Sequence, residues 1–163
     1  MNGEAMPPRP LGTPYNLLFI CTGNTCRSPM AAALARHAIE QRGWPHVEVR
    51  SAGVAASGGA PATPPAQQVA AAHGLALDDH RSQPLTRELV QWADMILAMS
   101  LSHVEAAQDL GGENKVVLVT EFIGGSPVED PFGADESAYA RTFDQLQVAV
   151  ASVLDRLEPI LSP

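Results

Sequence analysis

The segment from Asn16 to Pro29 constrains this chain more than any other. It joins the run Asn16-Leu17-Leu18-Phe19-Ile20 to Cys21-Thr22-Gly23-Asn24-Thr25-Cys26-Arg27-Ser28-Pro29, and then to an alanine-rich stretch. A short run that is almost continuously apolar reads as a strand buried on both faces, the kind found in parallel sheets. Ser-Pro before alanines reads as a helix start, with Ser28 as N-cap, Pro29 at the first helical position and Gly43 as the stop. A thiol and a guanidinium therefore share one strand-to-helix turn. The N–H groups of such a turn can all point inward, the helix adds the positive end of its dipole, and Arg27 adds a planar two-pronged donor. That cup suits a tetrahedral oxyanion, with the Cys21 thiol at its base placed to attack it.

The rest of the chain alternates in the same manner. Strands are expected at 16–21, 46–51, 95–98 and 115–119, and helices at 28–42, 65–73, 87–92, 100–110 (capped by Ser100) and 136–157. The last helix places Ala140, Phe143, Leu146, Val150, Val153 and Leu157 on one face. The Gly/Ala/Ser/Pro-rich stretch 52–65 reads as a loop. Strands alternating with helices imply an α/β fold: a single domain with a four-stranded parallel sheet, helices on both faces and right-handed crossovers, Rossmann-like in plan. In such sheets ligands bind beyond the carboxyl ends of the strands, where the cysteine turn falls. Residues 1–14, which contain Pro and Gly, read as a flexible extension, and 15–163 as the folded domain.

Composition narrows the partners. A formal charge of −8 argues against nucleic acid or an anionic membrane as the main partner, while leaving room for a local anion site. No run is apolar for the ~18 residues a membrane span needs, and the first residues lack the apolar core of a signal peptide. A cytoplasmic location is expected. Both cysteines, Cys21 and Cys26, lie in one loop, so they cannot staple distant parts of a secreted fold. Cys-x4-Cys has no second pair to complete a zinc site, and His37, His46, His73 and His103 show no ligand spacing. A zinc site is therefore not expected.

The chemistry then follows from the residue types. Cys21 is the nucleophile, because inward amides, a helix N-terminus and a guanidinium favour the thiolate that attacks. Arg27 clamps two phosphate oxygens, and Thr22 to Ser28 form the rest of the phosphate loop. Gly23 permits a tight inward turn. Asn24 adopts a left-handed conformation and bonds across the loop, and Ser28 donates to the thiolate or caps the helix. A leaving group needs a proton, for which Asp130 is the best source and Glu129 the fallback. Pro131 stiffens the backbone after the acid, in Val128-Glu129-Asp130-Pro131-Phe132-Gly133. The plain alternative is an Asp-Pro turn. His80 braces the phosphate loop or simply packs there, and Asp78 and Asp79 belong to a solvated face.

These residues carry a resemblance. Cys21-Thr-Gly-Asn-Thr-Cys-Arg-Ser-Pro29, Ser51-Ala52-Gly53, His80-Arg81-Ser82, Ala93-Asp94-Met95-Ile96-Leu97-Ala98-Met99 and Asp130-Pro131 follow one another as in the low-molecular-weight protein tyrosine phosphatase family, which residues 16–157 resemble. The resemblance implies Cys21 as nucleophile, Arg27 as phosphate ligand and Asp130 as general acid. It also implies Asn24, Ser28, Ser51 and His80 as the network holding the loop, phosphorylated proteins as substrates, and no cofactor. Two details resemble the bacterial protein arginine phosphatase branch: Thr25, where tyrosine-directed members usually carry Ile or Leu, and Phe132-Gly133 after Asp-Pro. A hydroxyl at Thr25 can bond water or a guanidinium nitrogen, whereas a branched aliphatic packs on a phenyl ring. The alternative is a neutral replacement in a tyrosine phosphatase. Ala32-Ala33 departs from the Ala-Glu frequent in the family and reads as a tolerable change on a helix surface. The related arsenate reductases need further cysteines that this chain lacks. A phosphate-binding module without turnover would need neither Cys21 nor Asp130.

Overall fold

The computed structural model describes residue 10 and residues 12–162. Most of the expected flexible extension therefore lies outside the described residues. The elements run β1 (Tyr15–Cys21), α1 (Arg27–Arg42), β2 (Val47–Gly53), α2 (Pro64–Ala72), α3 (Arg87–Trp92), β3 (Met95–Ala98), α4 (Leu101–Asp109), β4 (Val116–Leu118) and α5 (Glu136–Leu161), with a short 3-10 turn at Glu121–Ile123. The strands form one parallel sheet in the order β2-β1-β3-β4. Leu17, Phe19 and Cys21 of β1 pack into the layer of α1, α2 and α5, while Leu18 and Ile20 meet Val90 of α3 and Ala107 of α4. Both faces of β1 are thus covered, which explains its unbroken apolar run. No helix among the described residues is long and apolar enough to cross a membrane.

Local chemistry sets the boundaries. Thr63, Thr86 and Asp135 cap α2, α3 and α5, each side chain accepting a backbone N–H of the first turn. Gly43 ends α1 at φ 70°, a left-handed geometry that favours glycine. The start of α1 differs from the sequence reading. The N-cap position is Cys26, with no side-chain cap bond, and Ser28 lies inside the first turn, fully buried. Its hydroxyl is committed to the phosphate loop, as shown below. Ser100 occupies the N-cap position of α4, but its hydroxyl reaches Ser102 and His103 rather than a backbone amide.

Two further expectations change on packing grounds. Ala32 and Ala33 are buried, not on a surface, because the first half of α1 is enclosed on all sides between the sheet and α5. Small residues there let the layers approach. In α5, Ala140 is exposed, and Ala138, Tyr139 and Thr142 are buried in its place. The helix also continues past Pro159 to Leu161, whose side chain is buried against the core.

β2 extends two residues beyond its expected end, to Gly53, which pairs with Cys21 across the sheet. A Cβ on Gly53 would lie 2.5 Å from the Thr22 carbonyl oxygen and 2.9 Å from the Asn24 nitrogen. Both are backbone atoms of the phosphate loop and cannot swing away. Gly53→Ala is expected to destabilise the fold by about 1–3 kcal/mol through this overpacking, and to lower kcat by displacing the loop. Thermal melting together with aryl phosphate kinetics checks both effects.

Candidate active site

β1 is an interior strand, and its neighbours on either side, β2 and β3, are reached by separate crossovers, so Cys21 stands at a topological switch point. From there residues 22–26 loop over to the start of α1. Among the described residues, the N–H groups of residues 23–26 donate to no acceptor in the protein. The first turn of α1 adds its own unfilled amides, as every helix start does. The result is a concentration of donors above the Cys21 thiol, which is itself buried and unbonded to the other cysteine.

The loop is held from behind by saturated side chains. Asn24, fully buried at φ 57°, donates through its amide nitrogen to Ser28 Oγ at 2.7 Å and Ser51 Oγ at 3.0 Å. Its amide oxygen accepts from the Gln83 N–H at 2.9 Å. Because Ser28 Oγ already accepts from Asn24, its own proton is free for Cys21 Sγ, 2.9 Å away. His80 Nε2 lies 2.6 Å from the Asn24 carbonyl, and since a carbonyl only accepts, that nitrogen carries the proton. The structure brings Asn24, Ser28, Ser51 and His80 into one hydrogen-bonded network around the cysteine.

Gly23 differs. It does not have a positive φ, and a Cβ there would make only ordinary contact with Thr25 Oγ1 at 3.6 Å. The turn itself therefore does not require glycine at this position.

Arg27 is 5% exposed and fixed at both ends of its fork. One nitrogen donates to the Val128 carbonyl at 3.0 Å. The other lies 3.4 Å from Thr22 Oγ1 and 3.5 Å from Asp130 Oδ2. Asp130 is half exposed, and its second oxygen accepts from the Phe132 N–H at 3.1 Å. Glu129 is exposed and its carbonyl accepts from Thr142 Oγ1, so it serves as an anchor of the acid loop. Cys21, Thr22, Gly23, Thr25, Cys26, Arg27, Asp130 and Phe132 enclose a cavity of about 300 Å³. Thiol, guanidinium and carboxylate therefore face one space, which fits an oxyanion attacked from below and protonated from above.

Two residues of this site, His103 and Tyr139, escape the sequence reading, and a third, Phe132, is read only as part of the motif after Asp-Pro. His103 is buried, with Nε2 2.9 Å from Thr22 Oγ1 and Nδ1 3.1 Å from Ser100 Oγ. Burial, and then the Arg27 guanidinium, lower its pKa to about 4, against a smaller opposing pull from Asp130, so the ring is neutral at pH 7. Tyr139 of α5 meets Cys26 Sγ at 3.3 Å and Thr63 Oγ1 at 3.2 Å. Burial, followed by its contact with Cys26, pushes its hydroxyl up to about 12. Phe132 stands 70% exposed at the cavity mouth. His103 and Tyr139 carry no motif, being isolated residues of helices distant in sequence. Phe132 was legible as an apolar residue beside Asp-Pro.

Comparison with known proteins identifies the family. The family described as "Low molecular weight phosphotyrosine protein phosphatase" matches residues 16–159. The chain is 41% identical to the protein-arginine-phosphatase of Bacillus subtilis strain 168, over 88% of its own length and 97% of the relative's. It is 51% identical to EpsP of Ralstonia solanacearum, named a probable low molecular weight protein-tyrosine-phosphatase, over 88% and 97% of the two chains. Among solved structures, a cysteine-to-serine mutant of the YwlE arginine phosphatase with a phosphorylated active site serine superposes with a TM-score of 0.82. That match has 41% identity and covers 88% of this chain and 95% of the other. The chain belongs to the low molecular weight phosphotyrosine protein phosphatase family and is a hydrolase of that type.

Proposed function

We propose that the protein removes phosphoryl groups from phosphoarginine side chains of proteins through a phosphocysteine intermediate. The observation that carries the arginine assignment is Thr25, which lines the catalytic cavity together with Asp130 and Phe132. A hydroxyl there offers a hydrogen-bond partner to a guanidinium nitrogen, Asp130 offers a carboxylate, and the exposed Phe132 ring offers a face for a planar cation. The names of the Geobacillus stearothermophilus and Bacillus subtilis relatives point the same way.

In this reading the Cys21 thiolate attacks phosphorus in line with the P–N bond. That bond breaks, its electron pair stays on the guanidine nitrogen, and Asp130 gives that nitrogen a proton. Arg27 and the amides of residues 22–28 hold the equatorial oxygens as charge spreads over them. Asp130, now a carboxylate, takes a proton from water as the water attacks phosphorus. The S–P bond then breaks to release phosphate and the Cys21 thiolate, which Ser28 receives with its hydroxyl proton. His103, kept neutral, supports Thr22 and leaves the positive charge of the cup to Arg27. The catalytic unit spans 15–163, with 1–14 as an extension, which accords with the family match and with β1 starting at Tyr15. A reducing compartment such as the cytoplasm suits a mechanism that depends on a free thiol.

Phosphotyrosine is the second reading, favoured by the 51% identity to EpsP. The test is kcat/KM on matched phosphoarginine and phosphotyrosine peptides, for the wild type and Thr25→Ile. A phosphoarginine preference in the wild type, shifted toward phosphotyrosine by roughly 10–200-fold in the variant, is expected. A wild-type preference for phosphotyrosine would make EpsP the better guide and end the arginine assignment.

A further inference from the structure

A second hollow, of about 430 Å³, adjoins the phosphate loop and shares no lining residue with the catalytic cavity. Three arginines from separate elements line it: Arg36 of α1, Arg50 of β2 and Arg81 of the loop between α2 and α3. This gathering of positive charge stands out on a chain whose formal charge is −8. Arg50 is paired with Glu48 at 3.2 Å and lies over the Trp92 ring at 4.3 Å. Among the described residues, Arg36 and Arg81 form no ion pair. Arg36 donates to the Val49 carbonyl at 2.9 Å, and Arg81 to the Asp78 and His80 carbonyls at 3.1 and 2.7 Å. Each guanidinium has five N–H donors, so these carbonyl bonds orient the two side chains and leave most donors unspent.

The same hollow touches the machinery that holds the phosphate loop. His80 and Gln83 line it, and these residues bond Asn24 at its carbonyl and its amide oxygen. Burial holds the His80 imidazole below its usual pKa; the bond to Asn24 opposes this, and Arg36 and Arg81 add to it. The positive field of the two arginines therefore reaches the ring that braces the loop.

We propose that this hollow binds a small organic phosphate, whose phosphoryl group sits between Arg36 and Arg81, and that binding is felt at the phosphate loop through His80 and Gln83. Guanidinium forks match phosphoryl oxygens in geometry as well as charge. The volume is far larger than a bare phosphate fills, and Asp79 supplies an acceptor for a hydroxyl on the ligand's body. A sugar phosphate has both features.

Trp92, beside Arg50, gives a fluorescence readout, with Trp92→Phe as the control that identifies the signal. Ribose 5-phosphate and pyrophosphate are titrated separately into the Arg27→Ala protein, whose catalytic cup has lost its charge; Arg27→Met, equally neutral but longer, replaces it if the alanine variant does not fold. Saturable binding with a Kd below about 1 mM, weakened roughly tenfold or more in an added Arg36→Gln/Arg81→Gln background, is expected. Ribose 5-phosphate should also change the kcat of the otherwise wild-type enzyme on an aryl phosphate by about fivefold. Competition at the catalytic cup would alter only KM, and the change in kcat should vanish in Arg36→Gln/Arg81→Gln, measured against that variant's own ligand-free kcat. Binding of pyrophosphate alone would replace the organic ligand by an inorganic one and overturn the proposed class. Absence of saturable binding, or equal binding without the two arginines, overturns the site. Binding with kcat unmoved overturns the coupling.

Discussion

Cys21→Ser abolishes turnover while oxyanion binding persists: that is the expected result of the change with the largest effect. Serine keeps the shape of the cup floor, so the amides of residues 23–26 and the Arg27 fork remain in place to hold a tetrahedral anion. What is lost is the thiolate: an alcohol is a far weaker nucleophile at neutral pH and, once phosphorylated, a poor leaving group, so the cycle stops. The nearest polar group is Ser28 at 2.9 Å from the sulfur, and its oxygen already accepts from Asn24. A fall in kcat on the order of 10⁴–10⁶ is expected, the range seen when a covalent nucleophile is removed. Calorimetric titration with inorganic phosphate should give a Kd of the same order as the wild type. Turnover close to wild type in the serine variant would remove Cys21 from the reaction.

The second large effect belongs to Asp130 and depends on the leaving group. Asp130 lies 3.5 Å from Arg27 and is half exposed, on a loop held by the Phe132 N–H and by Thr142. Asp130→Asn keeps size and polarity but cannot supply a proton. On a substrate with a poor leaving group kcat should fall by ~10²–10⁴, whereas an aryl phosphate whose leaving group departs as a stable anion should lose much less in the phosphorylation step. The slope of log kcat/KM against leaving-group pKa measures this, becoming steeper in the variant if protonation is lost. An unchanged slope would reduce Asp130 to a turn residue and pass the role of acid to another group.

How much of this was legible in advance varied with the kind of signal. The cup itself could be read because its parts are contiguous. Apolar Leu17 to Ile20 specify a doubly covered strand, Pro29 and the alanines specify a helix, and the turn between them is confined to residues that bind an anion. Ser28 was misread as a cap because capping is a local rule, whereas its hydroxyl answers to Asn24 and Cys21 across the loop. Ala32 and Ala33 look like surface alanines only until α5 is laid over α1. Spacing alone puts Ala140 on the inner face, whereas in the fold that position is exposed and its neighbour Tyr139 is buried.

By itself, then, the sequence determined the alternation of buried strands and helices, the composition of the phosphate loop and the presence of an acid before a proline. Those are consequences of short-range chemistry: side-chain period, turn stereochemistry and helix starts. Tertiary structure alone decided that Asp130 meets Arg27 at 3.5 Å, that His103 supports Thr22, that Tyr139 backs Cys26 and that Arg36, Arg50 and Arg81 converge beside His80. Each of these depends on where the parallel crossovers deliver segments far apart in the chain. That placement is fixed by packing both faces of the sheet, which no local window of the chain records.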